Sequence, residues 1–321
     1  MQWEQRNIRF CAGVLVFAVA MRLLAGGAFA PVGQALQSSE AASFLIYLQT
    51  GRVVRRVPEP EAEPVQETTA QISAEPAVFC GEDAELVRID DTCGRNPDVE
   101  KWLTEPLELD LSGEAPKVLI LHTHTTESYA QTADRYEETS PYRTLDPGHN
   151  MIALGDLLTG ILEEAGIGVI HDRNFHDYPS YNGSYNHAAS STRAYLEQYP
   201  SIELVLDLHR DAADTPTGQL VTRCSVGGET AAQLMFVVGT DTRLSHPGWE
   251  RNLSLALKLQ VLLEQNNPGI CRDMNLTKNR YNQHLGAYAL LVEIGAAGNT
   301  LQQAKLAARE LGEAIVKLVG S

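Results

Sequence analysis

The sequence predicts a three-layer α/β fold, in which a mostly parallel sheet is flanked by helices. Two observations support this: short apolar segments of strand type alternate with amphipathic helical segments, and several apolar segments end on histidine or acidic residues. Such alternation is typical of parallel sheets covered on both faces. The clearest strands are residues 118–121, 204–208 and 289–292. Because open α/β sheets bind ligands at the carboxyl ends of their strands, a functional site is expected there.

The remaining elements follow from apolar spacing and capping residues. Residues 150–165 carry apolar side chains at helical spacing and are followed by Gly166, a C-cap signal. The last helix, 301–319, opens with Thr300 and Gln303 in capping-box spacing. Further strands are predicted at 167–170 and 234–238, and further helices at 186–198 and 251–265. Long loops, which often carry function, are predicted at 125–149, 172–185, 210–232 and 267–288.

The chain divides into a start and membrane anchor at 1–38, an extended acidic tether at 39–114, and the α/β domain at 115–321. The tether contains the stretch PEPEAEP, a composition typical of solvated, disordered chain. The formal net charge of -16 argues against nucleic acid as a partner, because its phosphates would repel the chain.

The apolar segment at 10–21 predicts an uncleaved anchor that crosses the membrane once. Arg6 and Arg9 precede it, so the start of the chain is expected in the cytoplasm and the α/β domain on the outer side. A cleaved signal peptide ending at Ala30 is the alternative, but Pro31 would hinder cleavage. A soluble amphipathic helix is the third interpretation.

The cysteines leave the disulfide pattern open. Cys11 lies in the apolar segment, whereas Cys80, Cys93, Cys224 and Cys271 lie in the region expected outside the cell, where disulfides persist. The sequence fixes no pairing among these four. None of them has the close spacing of a structural zinc knuckle.

His124 and Glu127 stand in H-x-x-E spacing directly after the strand at 118–121. With His209 they offer two imidazoles and a carboxylate, which suit a zinc ion whose fourth position is open. His122 competes with His124 for the first position, although contact with the ligands or with substrate suits it better. Further candidate ligands are Asp146, His149 and Asp177. The alternative is that the histidines are merely hydrogen-bonded at a strand end.

Glu293 ends the third strand and is the candidate general base. A carboxylate at the end of a buried strand is costly unless it meets a cation or hydrogen-bond donors, and beside zinc it could move a proton from water to a leaving amine. The alternatives are a fourth ligand or an ion pair with Arg210 or Arg280. Arg210 could hold a substrate carboxylate or stabilise an oxyanion, and Asp211 could orient a histidine.

Five segments together resemble a known family, stage II sporulation protein P. They are VLILHTHTTESY at 118–129, HDYPSYNGSY at 176–185, YPSI at 199–202 with DLHRDA at 207–212, RYNQH at 280–284, and EIGAAGNT at 293–300. The resemblance covers roughly residues 115–320 with the segments in the right order. The anchor and acidic tether are also similar to that family.

The resemblance implies a zinc-dependent peptidoglycan hydrolase that removes septal wall during engulfment in endospore-forming bacteria. It implies cleavage of the N-acetylmuramoyl-L-alanine amide, and also of stem-peptide cross-links, on a fold similar to zinc amidases. His124 and His209 match the histidine ligands of those enzymes, and Glu293 matches their catalytic glutamate. Those enzymes also take a glutamate ligand from the segment before the first long helix. This sequence has no glutamate at the corresponding place, so Glu127 is chosen as the third ligand.

The resemblance also implies partners and a location. The partners are peptidoglycan, a sporulation protein D-type transglycosylase and a protein M-type membrane protein, and the location is the cell membrane with the domain on its outer side. Two other functions remain open from the residues. One is a zinc carboxypeptidase, which uses the same H-x-x-E, histidine and glutamate set, and the other is a non-catalytic peptidoglycan-binding module.

Overall fold

The computed structural model describes residues 77–216 and 218–320. The predicted anchor and the tether up to residue 76 lie outside this part of the chain. The helices are α1 (Val99–Thr104), α2 (Met151–Glu164), α3 (Ser184–Gln198), α4 (Trp249–Asn266) and α5 (Leu301–Val319), with a 3-10 helix at Gly81–Leu86. The strands are β1 (Ile89–Asp91), β2 (Val118–Leu121), β3 (Val169–His171), β4 (Leu204–Asp211), β5 (Asp214–Thr215), β6 (Gly218–Gln219), β7 (Cys224–Val226), β8 (Glu229–Ala231), β9 (Leu234–Gly239), β10 (Met274–Thr277) and β11 (Tyr288–Ala296).

Seven strands form one sheet in the order β1-β10-β9-β11-β4-β2-β3. Every neighbouring pair is parallel except β9 and β11, which are antiparallel. The short pairs β5–β6 and β7–β8 are hairpins within the loop that follows β4. The predicted mostly parallel sheet is therefore confirmed.

Helices cover both faces of the sheet. Alternate residues of the central strands, such as Leu206 and Val292, belong to the main core, which also contains the buried sides of α2, α4 and α5. The intervening residues Leu119, Leu121 and Val205 pack with Ala188 of α3 in a separate cluster. This alternation is what a strand buried on both faces requires. It confirms the predicted arrangement of helices around the sheet.

The prediction of an extended tether is wrong for residues 77–114. Strand β1 pairs with β10 at the edge of the sheet, and α1 buries Leu103 in the main core. Ser254 and Lys258 of α4 also donate hydrogen bonds to the carbonyl oxygen of Trp102. The acidic residues misled the prediction because they face solvent, while a few apolar side chains between them pack inward.

Two further features bear on the predictions from sequence. In the described part of the chain, Cys80, Cys93, Cys224 and Cys271 are all free thiols. Among these same residues, no helix is both long enough and apolar enough to cross a membrane.

Candidate functional site

The polar residues at the carboxyl ends of β2, β4 and β11 converge at one end of these three neighbouring strands. Leu121 lies opposite Asp207 on the neighbouring strand, and His209 lies opposite Glu293. Residues that are opposite each other in adjacent strands share a face of the sheet. The imidazole rings of His124 and His209 meet edge to face with 5.3 Å between their centroids. The structure therefore brings together the strand ends that the sequence singled out.

His124 is held by aromatic side chains from the loop before α3 and from the first turn of α3. The ring of Tyr181 stacks on it with a centroid distance of 4.5 Å, and the ring of Tyr185 meets it edge-on at 5.5 Å. The hydroxyl of Tyr181 lies 3.2 Å from His124 Nε2, whereas the buried Nδ1 has no hydrogen-bond partner. Burial lowers the pKa of His124 to about 4, so the ring is neutral at pH 7.

His209 lies among three carboxylates. Its Nδ1 is 3.7 Å from Glu127 Oε2, and its Nε2 is 3.0 Å from Asp207 Oδ1 without the direction of a hydrogen bond. Burial alone would lower the pKa of His209, but the carboxylates of Asp207, Glu127 and Glu293 outweigh it and raise the pKa to about 10. The negative field around this ring therefore favours a cation.

Asp207 is fixed by the turn that follows β2. Its two carboxylate oxygens accept hydrogen bonds from the backbone amide of Thr123 at 2.8 Å and from the hydroxyl of Thr123 at 2.6 Å. The sequence analysis gave Asp207 no role in the site. Side-chain alternation along the strand could have placed Asp207 in the site, because Asp207 is two residues before His209 and therefore lies on the same face of the sheet.

Glu127 is braced by two arginines as well as by backbone. Its Oε2 accepts a hydrogen bond from the amide of Arg210 at 3.2 Å. Its Oε1 lies 3.3 Å from Arg143 Nη2 and 3.6 Å from Arg210 Nη1. Arg143 is itself fixed by a 2.6 Å ion pair with Asp177 and by its position over the ring of Tyr181. Glu127 thus lies beside His209, as predicted, but much of its charge is already compensated.

Glu293 combines partial exposure with one buried oxygen. The residue is partly buried, and its Oε2 has no hydrogen-bond partner. Burial raises the pKa of Glu293 to about 8, against the opposing effect of His209. Such a carboxyl group can gain and lose a proton near neutral pH.

Arg210 and Asp211 have other contacts than those predicted. The buried guanidinium of Arg210 donates hydrogen bonds to the carbonyl oxygens of Ser128 and Tyr142 at 2.9 Å and 3.0 Å. It therefore fixes the loop that carries Glu127. Asp211 forms a 2.7 Å ion pair with Arg272 and accepts a hydrogen bond from the amide of Ala212, and it has no hydrogen bond to a histidine among the described residues.

The other candidates lie beside the site or outside it. The Nε2 of His122 is 2.8 Å from His171 Nε2, and both rings crowd Gly155 of α2. Asp146 and His149 form a 2.8 Å pair near solvent, and Asp177 is committed to Arg143. The sequence analysis gave no role in the site to Arg143, Tyr181 or Tyr185.

The histidine and carboxylate side chains of the site are suitable ligands for a divalent cation, although they do not form a preformed metal site. Among the described residues, no three His, Cys, Asp or Glu side chains already surround one point closely enough to hold a metal ion. Buried atoms without a hydrogen-bond partner nevertheless cluster here, namely His124 Nδ1, His209 Nε2 and Glu293 Oε2. Two imidazole nitrogens beside several carboxylates are the ligand types that zinc takes in proteins.

Comparison with known proteins identifies relatives of the chain. The pattern of the stage II sporulation protein P family matches residues 51–316. Stage II sporulation protein P of Bacillus subtilis (strain 168) is 28% identical over 211 residues, which cover 61% of this chain and 49% of that protein. The chain thus spans about half the length of this relative.

The solved structures that the comparison finds are more distant. The N-acetylmuramoyl-L-alanine amidase AmiC2 of Nostoc punctiforme has a TM-score of 0.38 and 14% identity, over 64% of this chain and 97% of that one. The N-acetylmuramoyl-L-alanine amidase of Clostridium difficile 630 has a TM-score of 0.38 and 16% identity, over 64% and 96% of the two chains. Because the family pattern matches residues 51–316, which is most of the chain, the chain belongs to the stage II sporulation protein P family.

Proposed function

We propose that the protein is a zinc-dependent peptidoglycan hydrolase that cleaves the N-acetylmuramoyl-L-alanine amide in the sporulation of its host. The proposal rests mainly on His209 and Glu293, which lie opposite each other near the carboxyl ends of β4 and β11. Each has a buried side-chain atom without a hydrogen-bond partner. Membership of the sporulation family supports the process. The same site is proposed to act on stem-peptide cross-links.

In this proposal His124, His209 and Glu127 hold the zinc ion. A zinc ion supplies Lewis-acid polarisation of a carbonyl group and makes water more acidic. The field of Asp207, Glu127 and Glu293, which raises the pKa of His209, would be offset by a bound cation. Asp207, anchored on Thr123, positions the His209 ring. Arg210 positions Glu127 through its amide and the loop carbonyls.

Glu293 acts as the general base in this proposal. Its carboxylate takes a proton from the attacking water and delivers it to the leaving amine of L-alanine, while the carbonyl carbon passes through a tetrahedral arrangement. The elevated pKa of Glu293 suits both halves of this transfer. Water can reach the group because Glu293 is only partly buried.

The contacts of Arg210 favour an amidase over a carboxypeptidase. A carboxypeptidase needs a free cation for the terminal carboxylate of its substrate, and Arg210 was the sequence candidate. Arg210 is only 4% exposed, and its guanidinium donates hydrogen bonds to two backbone carbonyls. An amide within a longer substrate needs no such contact.

The proposed setting is the outer side of the cell membrane, with the segment at 10–21 as a single-pass anchor. Peptidoglycan, a sporulation protein D-type transglycosylase and a protein M-type membrane protein are the proposed partners. N-terminal sequencing of the protein from membranes tests the anchor. A mature chain that begins near Pro31 would contradict it.

Mass spectrometry of purified peptidoglycan digested with the full chain tests the activity. The expected products are free peptide stems with an L-alanine amino terminus and glycan strands without peptide. Zinc content is measured on the same sample. Release of single C-terminal amino acids with intact muramoyl amides would instead indicate a carboxypeptidase, and unchanged peptidoglycan with no bound zinc would indicate a binding module.

A further inference from the structure

The strand that carries the proposed general base is irregular directly after it. Strand β11 pairs with β4 in regular parallel register as far as Glu293 and His209. The next pair is Ala296 with Asp211, which lies three residues further along β11 but only two along β4. One extra residue of β11 is therefore inserted here, which makes the segment a β-bulge. Because a bulge changes the direction of the side chains beside it, the conformation of this bulge determines where Glu293 points.

Gly295 is the residue that allows the bulge. Its φ is 69°, in the left-handed region that favours glycine. A Cβ atom at this position would lie 2.8 Å from the Cβ atom of Ala232 and 3.0 Å from Asn299 Oδ1. The bulge is therefore packed tightly between the loop before β9 and the residues that follow β11.

The carbonyl group next to Glu293 is held by a buried phenol. The hydroxyl of Tyr129 donates a 2.7 Å hydrogen bond to the carbonyl oxygen of Ile294, and Tyr129 is only 1% exposed. Tyr129 is five residues after His124 and two after Glu127. One side chain thus joins the loop of the proposed zinc ligands to the bulge of the proposed base.

Asn299 provides a second link between these two segments. Its Oδ1 accepts hydrogen bonds from the amide of Ala296 at 3.0 Å and from the amide of Thr222 at 3.2 Å. Its carbonyl oxygen accepts a 2.9 Å hydrogen bond from the amide of Ala130, the residue after Tyr129. The contacts of residues 129 and 130 therefore fix the position of the bulge relative to the ligand loop.

We propose that Tyr129 is a positioning residue for the proposed reaction, and that its hydrogen bond to Ile294 holds the bulge in the conformation that directs Glu293 toward the attacking water. The inference rests on the proposed amidase function, in which Glu293 is the general base. Tyr129 is almost fully buried, so it acts through Glu293 and not by contact with substrate. A displacement of about 1 Å at a catalytic group can lower the rate by about 100-fold.

The test measures cleavage of a synthetic N-acetylmuramoyl peptide by the full chain loaded with zinc. Tyr129→Phe should lower kcat by about 10- to 100-fold, with KM and zinc content unchanged. Tyr288→Phe is the matched control, because it removes a buried hydroxyl that accepts a hydrogen bond from the amide of Glu108 at the other end of β11. Each variant should lower the melting temperature by about 2–4 °C, and only Tyr129→Phe should lower kcat.

A double-mutant cycle shows whether Tyr129 acts through the base. In a Glu293→Gln background, Tyr129→Phe should change the residual kcat by less than about 2-fold, because the group that it positions is already absent. An equal fold-loss in both backgrounds overturns the proposal, as does a normal kcat in Tyr129→Phe or an equal loss in Tyr288→Phe. In these three cases the amidase function stands. No cleavage by the unmodified chain would overturn that function and this inference together.

Amide hydrogen exchange of the metal-free chain tests the bulge without zinc or substrate. Exchange in a peptide that contains residues 293–299 should be faster in Tyr129→Phe than in the unmodified chain or in Tyr288→Phe, because the bulge opens more easily without the hydroxyl. Equal exchange in all three proteins would show that the hydroxyl does not hold the bulge, and it would overturn the proposal whatever the cleavage rates.

Discussion

His124 and Tyr181 lie ring on ring, with an interplanar angle of 11° and 3.2 Å between Nε2 and the phenol oxygen. The neutral imidazole has one donor and one acceptor nitrogen. When Nε2–H donates to the phenol, Nδ1 is left as the bare nitrogen, and this is the buried atom without a partner. Tyr181 thereby selects the atom of His124 that can bind a metal ion, as outer partners of metal-bound histidines generally do.

Tyr181→Phe should weaken zinc binding by about 10-fold, because loss of an outer partner typically costs 10- to 100-fold in metal affinity. The phenylalanine ring keeps the stacking and removes only the hydrogen bond. Titration of the metal-free protein with zinc measures the effect. Tyr178→Phe is the control, since Tyr178 is similarly exposed and has no ring contact with His124. Tighter binding in Tyr181→Phe would mean that the phenol occupies the position of the metal and would reject this assignment.

His209→Ala should lose most of the bound zinc. The imidazole of His209 meets that of His124 edge to face at 5.3 Å and lies in the field of three carboxylates, so no neighbouring nitrogen can replace it. Metal analysis of the purified variant measures the loss. His149→Ala removes a histidine that pairs with Asp146 away from the site, and it should retain zinc. Full zinc occupancy in His209→Ala would show that the ligands lie elsewhere.

Arg143→Ala should destabilise the fold by about 3–5 kcal/mol, the usual effect of removing one partner of a buried ion pair. It leaves Asp177, whose side chain is fully buried, without its 2.6 Å partner, and it removes a cation from Glu127. Urea unfolding measures the change. Arg173→Ala breaks the exposed pair with Asp156 and should cost less than about 1 kcal/mol. Equal effects of the two variants would show that Arg143 is not a structural brace.

The strand ends of the site were predictable from sequence, and the loops around them were not. His209 and Glu293 follow largely apolar segments of strand type. Neighbouring parallel strands end on the same side of a sheet, so the two residues come together without knowledge of the exact pairing register. Strand alternation would place His122 on the side of His124, but β2 ends at Leu121 and alternation does not apply in the turn beyond it. Tyr181 and Arg143 meet only through loop conformations that no periodic pattern encodes.

Strand β1 shows a different limit of prediction from sequence. It has three residues, of which only Ile89 is apolar, and it lies in an acidic stretch with the composition of a tether. Its backbone becomes ordered because β10 offers a parallel partner, a tertiary contact that outweighs local propensity. Asp90, which such a stretch would normally present only to solvent, consequently borders an open groove that Met235 and Asn275 also line.

Glu293→Gln should keep both the fold and the zinc, and it should lower turnover by about 10²–10⁴-fold, the usual contribution of a positioned general base. The amide has nearly the shape of the carboxyl group but cannot accept the proton of the attacking water. Cleavage rate and zinc content are measured on the same sample. A variant that lost zinc along with activity would make Glu293 a ligand, and near-normal turnover would remove it from the mechanism.

The same variant should also change how the stability of the metal-free protein depends on pH. Burial raises the pKa of Glu293 from 4.5 to about 8, so between these values the folded chain holds a proton that the unfolded chain has released. Stability must then fall as pH rises through this window. Glu293→Gln carries no titrating group at this position, so its melting temperature relative to the unmodified chain should rise between pH 4.5 and 8. The difference should be constant below pH 4.5, where both states of the carboxyl group are protonated. A melting-temperature difference that is flat across the whole range would mean that Glu293 ionises in the folded protein as it does in water, and the argument for an elevated pKa would fail.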